Sequence, residues 1–186
     1  MRIKRFFGIL RFFIIVMLSL GLTAIAGCGY ATRSVISQLY KTIYVRPFLN
    51  KIDITKETSV ARRYQVYQPL LENDITREVI NEFILDGSLR LAKEEDADLI
   101  LEGELVDYRK DALSYKGEDD KDVEEYRISI VVNLKLHDIS KQTILWEVGS
   151  FVGDTTYLTQ ASESSAIAEA VNDLARRIID GVTDIW

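Results

Sequence analysis

From Tyr126 to Leu136 every second residue is apolar: Tyr126, Ile128, Ile130, Val132, Leu134 and Leu136. Successive side chains of a strand point to opposite faces, so the run fits one face of a half-buried strand and no helix. Arg127, Ser129, Asn133, Lys135 and His137 mark the other face, with Val131 the exception. A strand this one-sided has to lay its apolar face on a second layer.

The segments around it extend a sheet. Leu99 to Tyr108 alternates, with Leu99, Leu101, Gly103 and Leu105 on one face, and the pattern continues toward Tyr115. Lys116 to Asp122 is a hydrophilic hairpin tip. Its acids do not meet the ligand spacing of a calcium loop, so a solvated turn is expected there. Thr143 to Gly153 reads as a partner strand, with Ile144, Trp146 and Val148 alternating. Lys41 to Leu49 is rich in β-branched and aromatic residues, and Ile43, Val45 and Pro47 fall on one face. Proline lacks an N–H, so Pro47 belongs at a strand end or edge. Ser88 to Ala92 reads as a short strand, Lys93 to Asp96 as a charged turn, and 50–64 as a long loop.

Two segments carry a helical period. Leu71, Ile75, Val79 and Phe83 recur every four residues, with Ile80 and Ile84 widening the stripe. Pro69 suits a first turn and Gly87 a C-cap. Near the C-terminus Ile167, Val171, Leu174, Ile178, Val182 and Ile185 form a second stripe. Ser162 or Ser164 is placed to cap it, and Arg176 and Arg177 lie toward its negative dipole end. The fold class expected is α+β: a mixed, mainly antiparallel sheet with two helices packed on one face, in the order β-α-(short β)-β-β-β-α.

The first residues are of another kind. Arg2, Lys4 and Arg5 precede an apolar stretch from Phe12 to Ala24, bounded on the left by Arg11. Small residues follow, up to the sole cysteine, Cys28. Charge, apolar run and small residues in this order read as a signal peptide. The run is shorter than the roughly 20 residues of a spanning helix, which weighs against an uncleaved anchor. Ile25-Ala26-Gly27-Cys28 resembles the lipobox of bacterial lipoproteins. That likeness implies cleavage after residue 27 and acylation (palmitate included) of Cys28. Gly29, not an aspartate, then implies sorting to the outer membrane. The expected division is a signal peptide at 1–27, a lipidated tether at 28–40 and one domain at 41–186.

Composition and motifs exclude several functions. The chain has 23 basic residues, four of them before Cys28, against 29 acidic ones. So acidic a body does not suit nucleic acid. His137 is the one histidine and reads as a surface residue, so a His-based triad has a single candidate member. No phosphate loop, dinucleotide-binding glycine pattern or zinc-ligand cluster is present. No enzyme activity, metal or cofactor is expected.

Several pieces, in order, resemble the LPS-assembly lipoprotein family LptE, where LPS is lipopolysaccharide. They are Cys28-Gly29-Tyr30, the strand Ile43 to Asn50 closing in P-F-x-N, and the helix from Leu71 to Val79. Ala97-Asp98-Leu99-Ile100-Leu101-Glu102-Gly103 and the pair of Glu125-Tyr126-Arg127-Ile128 with Trp146 complete the set. The resemblance implies residence at the outer membrane, on its periplasmic side, beside or inside an LPS-exporting β-barrel, LptD. It also implies LPS contact through basic side chains near a strand or loop tip, here Arg109, Lys110 and Lys116. Tyr108 and Tyr115 lie on the same hairpin, and aromatic and arginine side chains favour interfaces. Lipoprotein regulators of cell-wall synthases and secretion-pore lipoproteins share much of this order and form the alternative.

Overall fold

The alternating run lies within β5 (Val123–Asp138), the middle strand of a long antiparallel meander in the computed structural model. β4 (Leu99–Tyr115) and β6 (Thr143–Leu158) flank it, all three being 16 or 17 residues long. The structure describes residues 36–52, 69–117 and 122–185, all within one unit, Arg33–Trp186. On the far side of β4 lie β1 (Thr42–Val45), β2 (Leu49–Asn50) and β3 (Arg90–Leu91). The sheet order is β3-β1-β4-β5-β6, with β2 pairing β4 further along. All pairings left of β4 are parallel. The sheet is thus mixed and mainly antiparallel, and the expected fold class is the one found.

The strand expected over 41–49 is two pieces, β1 and β2. Arg46 N–H still reaches the Leu101 carbonyl at 2.9 Å, but Pro47 has no N–H to continue the ladder. Phe48 turns its N–H to Thr76 Oγ1 at 2.9 Å and buries its ring, while Pro47 is exposed. The core residue of this segment is therefore Phe48 and not Pro47. Its ring occupies the space that a β-carbon on Gly103 would need.

Helix α2 (Leu71–Asp86) buries Leu71, Ile75, Val79 and Phe83. Pro69 lies just ahead of it, not in its first turn, because Leu70 takes a left-handed conformation (φ 66°) at the N-cap. Gly87 (φ 69°) ends the helix and donates its N–H to Phe83 O at 3.1 Å. Ile80 is half-buried and Ile84 is 63% exposed, so the stripe is narrower than expected. Helix α3 (Glu163–Thr183) starts at Ser162, whose hydroxyl accepts from Ser165 N–H at 3.5 Å. It lies along β6 and β5 and against α2, where Asn172 Nδ2 donates to Glu78 Oε1 at 3.0 Å. Gly153 of β6 meets the backbone of Leu174, a fit that leaves no room for a β-carbon. Arg177 lies short of the last turn, where its Nε pairs with Asp173 at 2.8 Å.

The core begins before residue 41. A helical turn, α1 (Ile36–Leu39), leads into β1, and Ile36 and Tyr40 are both buried. Two residues of the expected tether, Ile36 and Tyr40, thus belong to the core and supply apolar cover at this end of the sheet. The Tyr40 hydroxyl donates to Asp138 Oδ2 at 2.6 Å. Ser140 Oγ and Lys141 N–H donate to the other oxygen at 2.6 and 3.0 Å. Burial opposes the charge on Asp138, but these bonds and the Lys141 ammonium outweigh it and hold the carboxyl well below the usual range.

Candidate interaction surface

One extra residue decides which hairpin side chains face outward. Between Leu105 and Asp107 the register of β4 against β5 shifts, leaving Val106 as a bulge. Beyond it the two faces exchange parity. Tyr108, opposite Ile130, and Lys110, opposite Ile128, turn toward the helices. Tyr108 is only 5% exposed, so it presents nothing to a partner, contrary to expectation. Its buried hydroxyl has no hydrogen-bond partner among the described residues, and burial pushes its pKa up to about 12.

Lys110 serves the fold. Its ammonium lies 2.6 Å from Glu163, the first residue of α3, and 4.5 Å from the centre of the Tyr126 ring. Tyr126 in turn stacks on Tyr157, with centroids 5.8 Å apart. Burial works against the lysine's charge, but Glu163 and Tyr157 raise its pKa to about 12. The cluster fastens the start of α3 to the hairpin.

The other candidates remain at the surface. Arg109 points to the outer sheet face, its Nε 3.4 Å from Asp107. Tyr115 and Lys116 are exposed at the end of the hairpin, where Lys116 N–H donates to Asp122 O at 2.7 Å. Leu113 and Leu158 are exposed there too. Leu158 stands opposite Glu125, which places the end of β6 beside the hairpin end. Cys28 and Gly29 lie outside the described residues, as does most of the expected 50–64 loop.

The outer face carries a chain of charges whose partners sequence reasoning missed. Arg46 pairs with both Glu94 and Glu102, and Glu102 lies 3.1 Å from His137 Nε2. Lys135 pairs with Glu147 at 2.9 Å. The outward aim of Arg46 follows from its place beside core-facing Val45. Its partners, Glu94 in the turn after β3 and Glu102 on β4, are 48 and 56 residues away and follow only from the tertiary fold. Two shallow clefts of about 180 and 340 Å³ share Arg46 and Glu102. Among the described residues no group of histidine, cysteine or acidic side chains is placed to hold a metal. None of the described helices is long and apolar enough to cross a membrane. The arrangement offers surface recognition: a polar, mixed-charge sheet face and a hairpin end that exposes Leu113, Tyr115 and Lys116.

Ile144 does not share the inward face of Trp146 that the alternation gave it. Leu145 is an extra residue in β6, so Ile144 stands opposite outward-facing His137 and is exposed, while Trp146 faces the core.

Two solved structures share the architecture, and a third aligns more loosely. A hypothetical protein from Chlamydia trachomatis aligns with a TM-score of 0.52 at 11% identity, covering 78% of this chain and 97% of that one. A protein from Xanthomonas campestris aligns with a TM-score of 0.51 at 15% identity, covering 78% and 85%. The rare lipoprotein B of Shewanella oneidensis aligns at 0.45 and 13% identity, covering 77% and 95%. A search of curated proteins found no match. The family model LptE, lipopolysaccharide-assembly, matches residues 40–181, from the tyrosine that fastens β1 to the last turns of α3. The chain belongs to the LptE family.

Proposed function

We propose that this protein is a non-catalytic, lipid-anchored outer-membrane subunit that supports assembly of, and plugs, an LPS-exporting LptD-like barrel. The observation that carries the reading is the family match over residues 40–181. Dimensions support it. Strands of 16 or 17 residues at about 3.3 Å per residue make a sheet roughly 50 Å long. That exceeds the roughly 30 Å of a membrane's hydrocarbon core. The outer face, with charges of both signs, suits the polar interior of a large barrel. Cys28 carries the acyl chains, and Gly29 permits export to the outer membrane, leaving the domain on the periplasmic side.

For contact with barrel or LPS, the reading keeps Arg109, Tyr115 and Lys116 and adds Leu113 and Leu158. Tyr108 is buried and Lys110 is held by Glu163, so neither is part of the contact. LPS would be met by the cations of Arg109 and Lys116. Depletion of the protein is expected to lower the amount of correctly assembled barrel and the LPS at the cell surface. Photo-crosslinkers at positions 113, 115 and 158 should capture the barrel. Unchanged barrel and surface LPS would overturn the reading, and loss of a cell-wall synthase activity instead would favour the regulatory alternative.

A further inference from the structure

We propose that the end of the domain nearest Cys28 docks directly on the lipid leaflet that holds the anchor. It does so by seating Leu39, Leu85, Leu91 and Ile139 among the headgroups, and it rests on the acylation of Cys28 proposed above. The strand register brings these residues to one end. β1 and β3 begin there, β5 ends there, and α2 finishes one short connection from β3. Leu85 is 78% exposed and Leu39 61%, with Leu91 and Ile139 also exposed. Single exposed apolar residues are common on any protein, but a group of them at one pole calls for a partner surface.

The length of chain says which surface. Eight residue steps separate Cys28 from Ile36, and they reach at most about 29 Å. Ile36 therefore lies no farther than that from the anchor. Tethering makes even weak apolar contact effectively intramolecular. Asp98 and Asp138, the carboxylates nearest the start of β1, are both engaged in hydrogen bonds within the fold. Asp98 accepts from the N–H groups of Lys41 and Thr42 at 2.7 and 3.0 Å, and Asp138 from Tyr40, Ser140 and Lys141. Arg90 and Lys93 stand beside Leu91, and Asp86, Glu95 and Asp96 lie at the same rim with Glu94, which pairs with Arg46, so the contact rests on the apolar side chains.

The test uses the mature acylated chain in vesicles of phosphatidylethanolamine and phosphatidylglycerol. Acylation blocks Cys28, so one introduced cysteine is the only free thiol. A polarity-sensitive dye is placed by Leu85→Cys or Ile139→Cys, and at the opposite pole by Leu113→Cys or Leu158→Cys. A blue shift at 85 and 139, quenched by brominated acyl chains, with neither change at 113 and 158, is the expected result. Raised salt should leave it in place, because the contact is apolar. Watery emission at 85 and 139 from an acylated chain overturns the docking and leaves the anchor intact. Quenching at both poles overturns the end-on arrangement. An unmodified Cys28 by mass spectrometry removes the anchor and the docking with it.

Discussion

Lys110 and Arg109 are adjacent, and one extra residue upstream gives them opposite tasks. Lys110→Met removes the ammonium between Glu163 and the Tyr126 ring. It should cost about 1–2 kcal/mol in urea unfolding. Arg109→Glu should leave stability within about 0.5 kcal/mol. Combined with Lys116→Glu it should instead weaken LPS capture, and added salt should weaken capture by the parent chain. Equal stability losses for Lys110→Met and Arg109→Glu would contradict the face assignment. Asp138 carries a pH signature. Its carboxyl is held below the unfolded value of about 3.9. Its stabilisation is therefore complete above that pH and is lost as the pH falls further. Asp138→Asn should cost about 1–3 kcal/mol at neutral pH by weakening a buried hydrogen-bonded group. The gap between variant and parent, read from melting curves, should narrow below about pH 4. The sequence reveals neither role. Alternation marks Lys110 as a hairpin residue but cannot register the bulge that turns it inward, and Tyr40, the distant partner of Asp138, lies 98 residues away.

The elements themselves were readable where the period was clean. β5 and both long helices lie where their apolar residues put them, because burial of one face dominates the choice of structure. The failures cluster where one residue breaks the period: Val106 in β4, Leu145 in β6, and Phe48 taking the place expected of Pro47. Such irregularities come from neighbouring strands and helices, not from the local pattern. Two substitutions test the packing. Ile130→Asp places an unpaired charge in a fully buried site and should cost several kcal/mol. Gly153→Ala drives a methyl group into α3 at Leu174, costing about 1–3 kcal/mol by overpacking. An unchanged melting temperature in the first would refute the core assignment of β5, and in the second the close seating of α3.

At the scale of the molecule, element order was legible because each helix stripe needs apolar cover and each strand offers a single face. The parallel placement of β1 between β3 and β4 was not, since nothing in a short strand's sequence names its neighbours. The two poles that result differ in character. One gathers the N-terminal segment, and the other carries Leu113, Tyr115 and Leu158. Crosslinkers at the second pole should find the barrel, whereas one at Tyr108 should find only residues of this chain. Capture of the barrel from position 108 would show that the buried hairpin face opens in the complex.

The fastening of Tyr40 to Asp138 also sets how the molecule bears tension. β1 runs parallel to both its neighbours, and the polypeptide enters it at the fastened end. A pull arriving through the N-terminal segment is directed along the axis of β1. It loads the hydrogen bonds to β3 and β4 together in shear, behind a clasp that passes part of the force to the β5–β6 turn. Strain entering through Ile36 is therefore distributed across the sheet instead of peeling away its first strand.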